Sequence, residues 1–168
     1  MEIADEHFAQ WCQYRKSFDQ YRRLLVPRRT SPPKVVVFEG ATGVGKTRLS
    51  YELGLEAGGV WICNDPTLQW FDGYSGEPAV IIDDFDGKGV NYRFLLRLLD
   101  RYEMDVPVKG GFTRWVPRLI FITTNTRIEQ WFPMEDISPL RRRVQWELMR
   151  ATEMPWEQYA LTIKNKII

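Results

Sequence analysis

Residues 34 to 50, KVVVFEGATGVGKTRLS, constrain the fold of this chain more than any other stretch. The short apolar run VVVF reads as a strand buried on both faces. It leads into a glycine-rich loop that ends in Gly-Lys-Thr, and a helical pattern follows from Thr47 to Ala57. Strand, tight loop and helix in that order open a parallel α/β sheet. Gly40, Ala41, Thr42, Gly43, Val44, Gly45, Lys46 and Thr47 fit G-x-x-x-x-G-K-[ST] in full. Glycines permit the left-handed backbone that turns successive N–H groups onto phosphate oxygens, and the helix N-terminus adds partial positive charge. In that frame Lys46 reaches the β- and γ-phosphates and the Thr47 hydroxyl ligates a metal ion. The expected ligands are ATP and Mg²⁺.

A phosphate cradle needs a second anchor for its metal at the end of a neighbouring strand. The stretch AVIIDDFDG supplies one, an apolar strand that runs into acids. Asp83 is the expected Mg²⁺ partner, and Asp84 is placed to polarise the attacking water as general base. Asp86, beside Gly87, reads as a turn residue. A further strand, RLIFITTN, ends in Asn125. Ligands of parallel sheets sit beyond the carboxyl ends of the strands, so an amide there can position water and sense the γ-phosphate.

The remaining elements follow from pattern. Trp11, Tyr14, Phe18, Tyr21 and Leu25 alternate steps of three and four, which predicts a helix over 5–26 that stops at Pro27. Its stripe either packs on the same domain or serves self-association. PRRTSPP reads as a linker, VWIC as a strand, and NDPTLQWFDGYSGEP as an aromatic-rich loop. NYRFLLRLLDRYE predicts an amphipathic helix with Phe94, Leu95, Leu98, Leu99 and Tyr102 near one face. MDVPVKGGFTRWVP reads as a hairpin around Lys-Gly-Gly. SPLRRRVQWELM begins with a Ser cap and a Pro at the first helical position, then continues as helix or strand. The last 15 residues carry no clear signal. The expected divisions are an N-terminal helical segment and linker over 1–30, an ATPase domain over 31–150 and a tail over 151–168. The expected class is α/β, a P-loop fold with a mostly parallel central sheet flanked by helices.

Composition narrows the function classes. The chain has 168 residues, enough for a substantial core, and a net charge of +1, which by itself names no partner. No run of about 18 apolar residues exists, so no membrane partner is expected. Cys12 and Cys63 match no metal spacing and read as reduced thiols of an intracellular protein. With His7 the single histidine, no His/Cys metal centre is expected.

The order of motifs resembles one family. P-loop, VIIDDFDG, DVPVKGGFTRW, LIFITTN and then an arginine cluster is the layout of superfamily 3 helicases. Within that group it is similar to the helicase domain of the replication initiators (Rep) of circular single-stranded DNA viruses, circoviruses in particular. WFDGYSGEPAVIIDDF and VPVKGG carry the closest likeness, and the resemblance spans about residues 35 to 145. It implies an AAA+-like ATPase that unwinds DNA 3′-to-5′ as a homo-oligomeric, hexameric ring during rolling-circle replication. It makes Gly40 to Thr47 the Walker A motif, Asp83 and Asp84 the Walker B acids, and Asn125 the sensor. Lys109, Gly110 and Gly111 would lie on a hairpin that grips single-stranded DNA in the ring's pore, with Phe112 and Trp115 near enough to stack on bases. Arg142 or Arg143 would be an arginine finger acting on ATP in the next subunit, with Arg141 leaving that choice open. The N-terminal helix would form the collar of the ring. A eukaryotic viral origin would place the protein in the host nucleus, any other origin simply inside the cell.

The family's initiators also carry an upstream endonuclease with a His-hydrophobic-His site. One histidine cannot build it, so this chain is expected to be a helicase portion or a helicase-only relative. Two rival readings remain at this level. One is a small-molecule kinase whose arginines form a lid, and the other is a non-catalytic module that binds ATP to hold an assembly together.

Overall fold

The computed structural model describes residues 6–25, 29 and 31–167. Helix α1 spans Phe8–Leu25; the predicted start at residue 5 and end at residue 26, with the Pro27 stop, lie outside the described residues, as do linker residues 28 and 30. The body then alternates as the sequence predicts: β1 Lys34–Glu39, α2 Lys46–Glu56, β2 Val60–Cys63 and β3 Ala79–Ile82. Helix α3 follows at Tyr92–Leu98, then β4 Met104–Val108, β5 Gly111–Trp115 and β6 Leu119–Thr124. Two short helices, α4 Ile128–Trp131 and α5 Ser138–Arg141, lead to β7 Val144–Leu148 and a last helix, α6 Trp156–Ile167.

Five strands form one sheet in the order β2-β3-β6-β1-β7, and every pairing is parallel. Successive side chains on a strand point to opposite faces, so each strand feeds two layers. Val36, Phe38, Ile81 and Phe121 pack under α2 and α6 with Leu49, Leu53 and Ile163. Val35, Val37, Val80, Ile82, Ile120 and Ile122 face the other way, onto α3, the β4–β5 hairpin and the loop before β3. Burial on both faces is why these strands read as unbroken apolar runs. Within the expected tail, α6 buries Ile163 and Ile167 in the first of these layers.

Three local expectations are corrected. Helix α3 ends in the Leu99 cap, so Tyr102 falls beyond it and is 75% exposed rather than sharing the apolar face. The chain SPLRRR opens helix α5, but Ser138 is its first residue rather than its cap: the N-cap is Ile137, with no side-chain cap, and the Asp136 carboxylate accepts hydrogen bonds from the Ser138 amide and hydroxyl, 3.0 and 2.7 Å. After Arg143 the chain becomes strand β7, which settles the helix-or-strand alternative.

Candidate functional site

The carboxyl ends of β1, β3 and β6 lie side by side because Glu39 pairs with Thr124 and Ile82 with Ile122. The loops that leave those ends meet in a cleft of about 380 Å³, lined among others by Thr42, Lys46, Thr47, Asp83, Asp84 and Asn125. All the catalytic residues expected from the Walker motifs and the terminal asparagine thus converge, from strands far apart in sequence.

The loop Gly40 to Gly45 joins β1 to α2. Gly45 is the N-cap of α2 with φ +92°, and no side chain caps the first turn. The helix therefore presents bare N–H groups toward the cleft, the arrangement that binds anions. A Cβ on Gly45 would stand 2.3 Å from the Trp156 ring, so glycine is required by contact as well as by backbone angle. Trp156 also donates its indole N–H to Glu52, 3.1 Å, and lies under the Arg48 guanidinium, 4.4 Å from the ring centre. Helix α6 thus braces the phosphate loop, a role the sequence does not announce. The signal is present in Trp156, Tyr159, Ile163 and Ile167, which recur at steps of three and four.

Lys46 is buried, and its ammonium donates to Gly40 O (2.8 Å), Ala41 O (2.9 Å) and Asn125 Oδ1 (2.8 Å). Burial pulls its pKa below the ordinary lysine value, while Asp84 and Asp83 push it back up. Asn125 donates through Nδ2 to Asp84 Oδ1, 2.6 Å. A carboxylate only accepts and an ammonium only donates, so the amide between them has a single satisfying orientation. Asp84 takes the left-handed backbone, φ 48°, which turns its side chain to the amide. Asparagine at the end of β6 is thereby a mechanical link between the lysine and the second acid.

Asp83 anchors the other half. Its Oδ1 accepts hydroxyls from Thr47 and Thr123, both at 2.7 Å. Thr123 Oγ1 in turn accepts the Asp84 amide, 2.9 Å. Thr123 is a residue that sequence reasoning misses. Only the parallel register of β3 and β6 shows that a threonine two places before Asn125 touches both acids. Thr47 and Asp83 offer hard oxygen donors in mutual contact at the cleft, the set that suits Mg²⁺, which takes one or two protein oxygens and completes its shell with phosphate and water. Asp86 accepts the Lys88 amide, 2.9 Å, and is a turn residue as expected.

The β4–β5 hairpin stands apart from the main sheet. Its tip is Lys109-Gly110, and Gly110 at φ +92° makes the turn. Lys109 is 81% exposed on its side chain, and Phe112 is 56% exposed. Asp72, from the loop before β3, accepts the Lys109 amide at 2.7 Å and stands 3.7 Å from its ammonium. Trp115 does not join this exposed group. It is fully buried, donates to Leu98 O at 2.9 Å, and packs against Phe71 and Tyr74. The expectation that it stacks on bases is corrected: strand alternation turns it inward, where it roots the hairpin.

The arginine triplet is divided by its contacts. Arg141 pairs with Glu129. Arg143 donates to Asp100 Oδ2 at 2.6 Å and to Pro139 O at 2.8 Å. Arg142 is exposed, and its side chain makes no hydrogen bond or ion pair among the described residues.

Comparison with known proteins agrees with this geometry. The family model described as RNA helicase matches residues 36–126, more than half of the chain. The replication-associated protein of canary circovirus is 38% identical over 162 residues, which cover 92% of this chain and 54% of that protein. That of goose circovirus is 32% identical over 145 residues, 85% of this chain and 48% of the relative. That of beak and feather disease virus is 40% identical over 118 residues, 66% of this chain and 36% of the relative. The chain spans about half the length of the first two relatives. Its Walker-type cleft at the end of a parallel sheet, its lysine-tipped hairpin and these likenesses converge, and the chain belongs to the superfamily 3 helicase domains, P-loop ATPases of the AAA+ kind, found in circovirus-like replication initiators.

Proposed function

We propose that this domain is an ATP-driven, 3′-to-5′ DNA helicase motor that moves along single-stranded DNA during rolling-circle replication of a circular genome. The observation that carries the reading is the unbroken chain of hydrogen bonds from Lys46 through Asn125 to Asp84, in a protein whose hairpin exposes a lysine. Each link has a chemical task. Lys46 exchanges its backbone acceptors for β- and γ-phosphate oxygens. Thr47 and Asp83 would hold Mg²⁺, which would supply neutralising charge to those phosphates. Asp84 accepts a proton from the attacking water, and Asn125 ties the base to the lysine, so that loss of the γ-phosphate is felt at the acid. An arginine from the next subunit of a homo-oligomeric ring, Arg142 or Arg143, stabilises charge as it develops. Lys109 grips a phosphate of the strand, and Phe112 lies close enough to meet a base. In the aromatic stripe of α1, Tyr14, Phe18, Tyr21 and Leu25 are exposed and Trp11 is half-buried, which supports the collar reading over packing on its own domain.

Turnover of Mg·ATP in the presence of single-stranded DNA or of nucleosides tests the reading. Phosphate release stimulated by the DNA, and abolished by Lys46→Ala, is expected. Transfer of the phosphoryl group to a nucleoside, or binding without phosphate release, contradicts it.

A further inference from the structure

A second groove adjoins the hairpin at Pro107 of β4. It has a volume of about 520 Å³, within the range of about 300–1,000 Å³ typical of ligand sites. Its walls are the outer face of α3, with Arg93 and Arg97 one turn apart, and the 65–70 turn, with Gln69; Pro107 of β4 lies between. Phe94, also in the lining, gives it an apolar face, and no acidic residue lines it.

Three features make this a prepared surface rather than a chance hollow. Arg93 and Arg97 are exposed, and neither side chain makes a hydrogen bond or ion pair among the described residues. Two like charges one helical turn apart repel, so leaving them unneutralised on the same wall is mildly unfavourable unless an anion joins them. The facing wall is stiff. The Asp65 carboxylate accepts the amides of Thr67, Gln69 and Trp70 (2.8–2.9 Å) and the Thr67 hydroxyl (2.6 Å). Leu68, also in the lining, holds φ 55° while fully buried, a conformation that L-residues rarely adopt. Finally, the groove is continuous with the hairpin: Pro107 pairs with Phe112 across the ladder and accepts the Phe71 amide at 2.9 Å.

We propose that this groove is a second contact for single-stranded polynucleotide, with Arg93 and Arg97 holding a backbone phosphate and Phe94 and Pro107 receiving the adjoining base. The inference rests on the helicase reading, since it assumes that a strand reaches the hairpin. It adds a stationary clamp beside β4 of the hairpin to the exposed lysine at its tip.

The test is fluorescence anisotropy of a labelled oligothymidine with the whole chain, titrated at several salt concentrations. The variant Arg93→Gln/Arg97→Gln is expected to bind at least about tenfold more weakly at low salt. The slope of log affinity against log salt should become shallower by about 0.7 for each phosphate that is no longer neutralised. Thermal stability and basal ATP turnover should be unchanged, and Arg93→Lys/Arg97→Lys should recover most of the slope. An unaltered slope in the Gln variant, while wild type binds and Lys109→Ala weakens binding, overturns the groove and leaves the helicase reading standing. A wild-type chain that binds no oligothymidine overturns both. A Gln variant that changes ring assembly in sedimentation but binds DNA equally per ring makes the groove a contact between subunits, and overturns the proposal.

Discussion

At the scale of single residues, the site depends on one carboxylate oxygen that receives two hydroxyls. Asp83 Oδ1 is held by Thr47 from the phosphate loop and by Thr123 from β6, and Thr123 also carries the Asp84 amide. Groups that orient a metal-binding carboxylate typically matter by about 10–100-fold in affinity or rate. Thr123→Val keeps the shape but removes both hydrogen bonds. It should lower the steady-state rate of ATP hydrolysis by about tenfold or more, with Thr123→Ser restoring most of it; equal rates in all three proteins would remove Thr123 from the site. The contrast with the phosphate loop shows what a sequence displays. That loop is one continuous stretch from Gly40 to Thr47, so pattern alone places it. Thr123 acts through a neighbouring strand, and register is invisible until the sheet order β3-β6-β1 is known.

Elements show the same division between local and distant cause. Strands β1, β2, β3 and β6 and helix α2 are readable because apolar runs surround the phosphate loop, whereas β7, VQWEL at the sheet edge, interrupts its apolar residues with Gln145 and Glu147 and is not. Helix α6 is not, because its spaced apolar residues acquire meaning only against Gly45 and Phe121. Trp115 misleads for a related reason: its neighbours Lys109 and Phe112 are exposed, but its own place in the ladder faces the core. The 65–70 turn offers an element-scale test. Burial acts to raise the Asp65 pKa, but hydrogen bonds from the Thr67 hydroxyl and amide and from Trp70 and Gln69 outweigh it and hold the carboxyl below its ordinary value. A carboxyl depressed on folding stabilises the folded state above its unfolded pKa and loses that contribution as pH falls through the folded value. Asp65→Asn should therefore melt about 2–4 °C below wild type at neutral pH, the effect of about 1 kcal/mol in a domain of this size. Melting curves from pH 7 downward should show the gap closing below about pH 4, the ordinary aspartate range. A gap that stays constant to about pH 2 would show that the carboxylate's charge plays no part in the turn.

For the whole molecule, the account requires that the active site be completed by a second copy. The exposed stripe on α1 gives a means of association, and the arginine triplet gives the group to be donated. Arg142 and Arg143 are separable because their contacts differ. Arg143 is tied to Asp100, whose carboxyl that contact holds below its ordinary value, so Arg143→Ala should also lower the melting temperature slightly. Arg142→Ala should leave melting unchanged. The variant that removes the finger should abolish cooperative ATP turnover in the ring yet regain turnover when mixed with a Lys46→Ala chain, since each supplies what the other lacks. If neither mixture regains activity, catalysis is completed within one subunit. The motif order is legible at this scale because it is linear. The division of labour within the triplet is not, because three adjacent arginines look alike until Glu129 and Asp100 are seen to claim two of them.

The central claim is that hydrolysis in the cleft moves a strand held by the hairpin tip. Unwinding of a duplex with a 3′ single-stranded tail, measured alongside basal ATP turnover for wild type and Lys109→Ala, tests it most directly. The account predicts that Lys109→Ala hydrolyses ATP at close to the wild-type basal rate and separates no strands. A variant that unwinds as well as wild type would contradict it.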